Sequence, residues 1–116
     1  MPPPEVLLIT EMIDAAREAC RLVRDQSVEQ LNNDRQRRDA LLWNFTVLGE
    51  AAAQLPSDFK KLHSEIDWVR PARLRNRIVH GYWSADMSIL AATANNDLPE
   101  YAQQLQLLLE ILTHDQ

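Results

Sequence analysis

The segment from Arg75 to Tyr82 gathers five side chains that could do chemistry. Within eight residues it holds the guanidiniums of Arg75 and Arg77, the carboxamide of Asn76, the imidazole of His80 and the phenol of Tyr82. Arginine holds a phosphate with a fork of donors that stays charged, and histidine moves protons near neutral pH. These two types suffice to cleave RNA without a metal. A base takes the proton of the ribose 2′-OH, that oxygen attacks the adjacent phosphate, and arginine stabilises the charge that builds there.

The spacing of Arg75 and His80 limits how they could act together. Five positions along an ideal helix correspond to a rotation of about 140°, so the two side chains cannot share one face of a continuous helix. We expect Gly81 to end the helix and leave His80 at a frayed terminus, where its ring could swing toward Arg75. The alternative stays open, because arginine and histidine near a helix end are commonly caps and surface charge.

Other catalytic and cofactor patterns are missing from the sequence. His63, His114 and the single cysteine, Cys20, show no metal-ligand spacing. The sequence has no glycine-rich phosphate loop and no supportable Ser/His/Asp arrangement. We therefore expect neither a metal nor a cofactor.

Charge is unevenly distributed along an acidic chain. The net charge is −5, but residues 60–83 contain six basic and two acidic residues, which gives this segment a charge of +4. A local basic patch on an acidic protein can bind phosphate. A solvated helix face that balances its neighbours is the competing explanation.

The composition favours an all-α fold. Apolar residues make up 46% of the chain, and only 2 of the 116 residues are glycine. Sheets need many turns, and turns need glycine, so this composition argues against a sheet. The length suits one domain spanning residues 1–116. Without a signal-peptide pattern, an apolar run of about 20 residues or a second cysteine, we expect a cytoplasmic protein without a membrane segment.

Apolar periodicity and capping residues predict where the helices lie. Long helices are expected at about 4–24, 34–55, 68–79, 86–94 and from 99 onward, with short helical segments near 27–30 and 57–65. Asp86 or Ser84 is expected to cap the fourth long helix, and Asp97 the last one. The second long helix carries apolar residues, Trp43 among them, around most of its circumference, so we expect it to be central and largely buried. Gly49 would permit a close backbone approach there.

Four stretches in this order resemble a known family. Arg75, four residues, His80, one residue and Tyr82 match the Arg-x4-His-x-Tyr motif of HepT-type toxins, which belong to the HEPN superfamily. The sequence Leu-Gly-Glu-Ala-Ala at 48–52 is similar to the Ile-Gly-Glu-Ala signature of their central helix, and Asp-Trp at 67–68 and Asp-Leu-Pro at 97–99 also match. The likeness covers nearly the whole chain.

The resemblance implies a fold and an activity. The fold would be an up-and-down bundle of four to five helices that forms a homodimer, with the two motifs facing each other across a shared cleft. The activity would be that of a metal-independent endoribonuclease toxin of a type VII-like toxin–antitoxin system, acting on tRNA or mRNA. Arg75 would hold the scissile phosphate and His80 would be the general acid/base. Asn76 would orient either the phosphate or the histidine, and Arg73 and Arg77 would bind RNA.

The resemblance also implies a partner and leaves two questions open. A minimal nucleotidyltransferase antitoxin of the MntA kind would transfer AMP to Tyr82, where the added phosphate would attract the neighbouring arginines. Glu50 would either hydrogen-bond toward the site or the dimer partner, or pair with an arginine, which we prefer. The main rival function is a non-catalytic helical partner of a nucleotidyltransferase. The acidic balance and the lack of a helix-turn-helix count against a DNA-binding regulator.

Overall fold

The computed structural model describes residues 1–81 and 84–114. Within those ranges all regular structure is helical, as predicted, and none of the helices is both long and apolar enough to span a bilayer. Five helices have ten residues or more and two have six. In chain order they are α1 Pro4–Val23, α2 Val28–Asn33, α3 Arg35–Gln54, α4 Ser57–Leu62, α5 Val69–His80, α6 Met87–Asn96 and α7 Leu98–Thr113.

Local polar side chains cap the starts of three helices, whereas the side chain expected to cap α7 does not. Ser27 and Gln30 form a reciprocal capping box at α2, Asp34 accepts from the Arg37 amide at α3, and Asp86 accepts from the Ser88 amide at α6. The prediction for Asp97 is wrong in its mechanism. Asp97 does precede α7, but its side chain makes no capping hydrogen bond there. Its backbone is already helical, and its carboxylate lies 3.6 Å from the Arg70 guanidinium.

The core lies where α1 packs between α3 and α7. It is built from apolar side chains that recur at helical spacing, among them Ile9, Met12, Leu41, Leu42 and Leu105, all fully buried. Burying one such side chain stabilises the fold by about 1.5–3 kcal/mol. Helices α1 and α3 therefore form the centre of the bundle, and α5 packs against α3.

The prediction that α3 is largely buried is wrong on one face. Trp43 is 65% exposed although it lies in the middle of an apolar run. The reason is that α3 has neighbours on only part of its circumference, chiefly α1 and α5. Periodicity identifies apolar positions, but it does not count the helices available to cover them.

Helix α5 carries the candidate chemical residues and is continuous through His80. Pro71 lies in its first turn, where a proline is tolerated. Gly81 follows the last helical residue, as predicted, and its amide donates to the Ile78 carbonyl. The expected fraying is absent, because His80 is itself part of the helix.

Gly49 allows α3 and α5 to cross in close contact. A Cβ atom at this position would stand 2.3 Å from the Cβ of Arg75 and 2.3 Å from the carbonyl oxygen of Pro71. Neither atom is the end of a flexible side chain, so a side chain at position 49 would force the two helices apart.

We predict that Gly49→Ala destabilises the protein by about 1–3 kcal/mol, because overpacking separates α3 from α5. An ordinary glycine-to-alanine change within a helix has the opposite sign and stabilises by about 1 kcal/mol. Urea unfolding, monitored by circular dichroism, gives the free energy of unfolding of each variant. The control is Ala53→Gly one turn later on the exposed side of α3, which should cost only the propensity difference. A Gly49→Ala protein as stable as the original would contradict the close crossing.

Candidate active site

Arg75 is anchored at two points on the side of α5 that faces α3. Its Nη2 lies 2.8 Å from Oε2 of Glu50, and its Nη1 donates to Oδ1 of Asn76 at 2.7 Å. The side chains of Arg75 and Glu50 are 32% and 44% exposed, so the pair is half-buried. The Arg75 guanidinium is therefore held in a fixed place while one edge still reaches solvent.

Glu50 belongs to the candidate site. The preferred expectation, that it pairs with an arginine, is confirmed, and the arginine is Arg75. On the other side, Gln54 one turn later donates to Oε1 of Glu50 at 3.1 Å. The carboxylate thus sits between a neutral donor on its own helix and the guanidinium of α5.

The donors of Arg75 are only partly used. A guanidinium has five N–H groups. Two of them are taken by Glu50 and Asn76, and Nε is buried with no hydrogen-bond partner in the described part of the chain. One N–H therefore remains on each of Nη1 and Nη2. Two such donors suit a bidentate contact with a phosphate.

The structure does not bring His80 and Arg75 together within one chain. His80 is exposed, and none of the hydrogen bonds or ion pairs among residues 1–81 and 84–114 involves its imidazole. Because α5 is continuous to His80, the rotation of about 140° between the two residues applies in full. Asn76 lies between them, since it contacts Arg75 and precedes His80 by one helical turn.

Arg73 and Arg77 lie on the opposite side of α5 from Arg75, where they line a groove. The groove has a volume of about 550 Å³ and is bounded by α5, α6 and the start of α7. We call it the α5–α7 groove, and its floor includes Phe45, Leu48 and Leu74. Both arginines are exposed and face it together with Arg70. The predicted RNA-binding arginines thus share a concave surface, but it is a different surface from the one that holds Arg75.

Sequence reasoning missed the α5–α7 groove and two of the residues that shape it. Arg70 was not singled out, although its spacing of three and seven residues to Arg73 and Arg77 is the signal of a common helix face. Tyr101 lies among the apolar residues of the last helix, a pattern that predicts packing but no particular hydrogen bond. Its hydroxyl donates to the backbone carbonyl of Asp67 at 2.6 Å and ties α7 to the start of α5. Burial, reinforced by the Asp67 carboxylate, raises the pKa of Tyr101 above its usual range.

Tyr82, the expected acceptor of AMP, lies outside the described residues. The structure gives the position of Gly81 before it and of Ser84 after it. The amide and the hydroxyl of Ser84 both donate to the Gly81 carbonyl, at 2.9 and 3.0 Å.

We predict that Glu50 and Arg75 stabilise the fold jointly, with a coupling free energy of about 0.5–1 kcal/mol that decreases in salt because the pair is half-exposed. A double-mutant cycle of Glu50→Ala, Arg75→Ala and the double variant, measured by urea unfolding, gives this value. The exposed pair of Glu18 and Arg21 on α1 is the control and should couple more weakly. A coupling of zero between Glu50 and Arg75 would mean that the anchor does not exist in solution.

Comparisons with known proteins relate this chain to ribonucleases. The family described as "Ribonuclease HepT-like" matches residues 12–108. The chain is 33% identical to the probable ribonuclease HepT of Thermococcus cleftensis over 91 aligned residues. The alignment covers 78% of this chain and 80% of the relative. It is also 22% identical to a candidate RNase of Methanocaldococcus jannaschii over 111 aligned residues. That alignment covers 95% of this chain and 92% of the relative.

The matched range spans the whole candidate site. Residues 12–108 contain the crossing at Gly49, the anchored Arg75, His80 and the α5–α7 groove. A comparison with solved structures gives no match. The family match covers most of the chain, and on this ground the chain belongs to the HepT-like ribonuclease family.

Proposed function

We propose that this ribonuclease is a metal-independent endoribonuclease toxin that cleaves RNA with Arg75 and His80. The observation that carries the proposal is the anchoring of Arg75 by Glu50 and Asn76, which leaves one N–H on each of Nη1 and Nη2 without a partner among the described residues. A fixed guanidinium with a free pair of donors favours the trigonal-bipyramidal phosphate, on which negative charge accumulates.

The reaction requires two proton transfers at one phosphodiester. The 2′-hydroxyl loses its proton to a neutral imidazole, its oxygen bonds to phosphorus, and the bond from phosphorus to the 5′-oxygen breaks. The leaving oxygen takes a proton from an imidazolium, and the products are a 2′,3′-cyclic phosphate and a free 5′-hydroxyl. His80 is the group in the segment that fits these transfers. Its exposure leaves it accessible to RNA.

A homodimer would complete the site that one chain leaves divided. On α3, Trp43 lies two turns before Glu50 on the same side, and on α5, Val79 lies one turn after Arg75. These two apolar side chains are 65% and 50% exposed. A second copy that covers them would place its own α5 against the anchored Arg75. His80 of one copy would then serve the Arg75 of the other.

Control by a nucleotidyltransferase antitoxin is the second part of the proposal. Tyr82 follows His80 by two residues in a segment with a net charge of +4. Transfer of AMP from ATP to the Tyr82 oxygen would form a phosphodiester and release pyrophosphate. The added phosphate would carry a negative charge next to the end of α5, where it would compete with RNA for the arginines. Such control suits a toxin that acts on the RNA of its own cytoplasm.

We predict that the purified, unmodified protein cuts RNA in excess EDTA and leaves DNA of the same sequence intact. His80→Ala should lower the rate by 10²–10⁴-fold, the usual contribution of a general acid/base, and Arg75→Ala by about 10²–10³-fold. A gel assay with end-labelled RNA measures both. His114→Ala is the matched control and should keep full activity. Intact RNA after incubation with folded wild-type protein would contradict the proposal and favour the non-catalytic partner.

We predict that co-expression with a minimal nucleotidyltransferase of the MntA kind adds one or more AMP units, visible by intact mass spectrometry. Tyr82→Phe should abolish the gain, and Tyr101→Phe, which removes a half-buried phenol bonded to the Asp67 carbonyl, should not. The modified protein should cut RNA at least tenfold more slowly. An unchanged mass, or a gain that survives Tyr82→Phe, would exclude Tyr82 as the acceptor.

A further inference from the structure

The α5–α7 groove has the size and lining of a small-molecule site. Its volume of about 550 Å³ lies within the range of ligand pockets, about 300–1,000 Å³. The floor is apolar and the rim is charged. A smaller cavity of about 120 Å³ shares Leu74, Arg77 and Ile89 with it and extends to Gly81 and Ser84. The concave surface therefore runs along α5 toward the end that bears His80.

The three arginines of the groove differ in how far they are neutralised. Arg70 lies 3.9 Å from the carboxylate of Asp67 and 3.6 Å from that of Asp97. Arg73 and Arg77 have no ion pair with any residue in the ranges 1–81 and 84–114. The positive charge available to a ligand is thus concentrated in the half of the groove nearest His80.

His80 lies on the same side of α5 as these two free arginines. It follows Arg77 by three residues and Arg73 by seven, so an ideal helix places all three within about 60° of one another. A phosphate held by Arg73 or Arg77 therefore lies near the imidazole, whereas Arg75 faces the other way.

The far half of the groove is acidic. Glu65, Asp67, Asp97 and Glu100 line it, and Asp67 and Asp97 are already paired with Arg70. Glu65 lies 3.9 Å from His63, and Glu100 is exposed with no hydrogen bond or ion pair among the described residues. A phosphate would be repelled there, but an amino group on a base would find an acceptor, as cytosine N4 does with a carboxylate.

We propose that the α5–α7 groove binds one unpaired nucleotide of the RNA substrate, next to the phosphate that is cut. Arg73 and Arg77 bind its phosphates, the half-buried Leu74 and the exposed Ile89 pack against its base, and Glu100 accepts from the exocyclic amino group. A base reaches such a groove only when it is unstacked, so the substrate is single-stranded or a loop. This subsite rests on the proposed function, because it assumes that the ligand is RNA.

The experiment measures binding separately from cleavage. Fluorescein-labelled five-nucleotide RNAs, all cytidine or all uridine, are titrated into the His80→Ala protein and followed by anisotropy at several salt concentrations. We expect the cytidine RNA to bind several-fold more tightly than the uridine RNA, and Glu100→Ala to remove this difference. Arg73→Ala and Arg77→Ala should each weaken binding about tenfold and reduce the salt slope by about one phosphate contact.

Two variants control for charge and for the groove itself. Arg24→Ala removes an exposed arginine at the end of α1, outside the groove, and should change affinity less than twofold. Gln104→Trp, on an exposed position that lines the groove, should fill it and weaken binding at least tenfold while its unfolding free energy stays unchanged. A cytidine RNA annealed to its complement within a longer hairpin stem should bind at least tenfold more weakly than the free strand.

The outcomes separate this subsite from the proposed function. If the wild-type protein cuts RNA but Arg24→Ala weakens binding as much as Arg73→Ala, or Gln104→Trp has no effect, the subsite is wrong and the nuclease stands. Equal affinity for cytidine and uridine RNA would overturn the assignment of Glu100. If the binding pattern is as expected but the wild-type protein leaves RNA intact, the subsite stands and the nuclease is wrong.

Discussion

The close crossing of α3 and α5 at Gly49 determines what the rest of the molecule can do. Helix α5 is short and contributes a single buried side chain, Ile78, so its position depends on how closely it packs against α3. A residue with a Cβ at position 49 would collide with Arg75 and Pro71. With glycine there, Oε2 of Glu50 lies 2.8 Å from Nη2 of Arg75. Gly49 and Glu50 therefore have linked effects. Gly49 allows α5 to pack closely against α3, and Glu50 holds the guanidinium of Arg75 on α5.

The same crossing gives α5 two sides with different surroundings. One side holds Arg75 against α3, and the other presents Arg73 and Arg77 to the α5–α7 groove. His80, at the end of the helix, lies on the groove side. A single chain thus has an anchored guanidinium, that of Arg75, and an accessible imidazole, that of His80, which do not meet. This separation, together with the exposed Trp43 and Val79 beside Arg75, is the physical reason to expect that two copies form the site.

The sequence predicts the helices well because their ends are local. Ser27, Asp34 and Asp86 cap the helices that follow them, and Gly81 follows α5, so these boundaries depend only on near neighbours. Properties that depend on distant neighbours were harder to predict. The exposure of Trp43 reflects how many helices surround α3, and Asp97 turns from α7 toward Arg70. The partner of Glu50 became clear only from the crossing, and the groove requires three helices that are far apart in sequence.

Mixing two inactive variants is the most direct test of a site shared between two copies. In a dimer of Arg75→Ala with His80→Ala, one of the two sites would combine an intact Arg75 with an intact His80. We expect an equimolar mixture, after subunits exchange at random, to regain about a quarter of the wild-type rate of RNA cleavage, because half of the dimers are mixed and each has one working site. If Arg75 and His80 act within one chain instead, the mixture would be as inactive as its components, and the proposed sharing would be wrong.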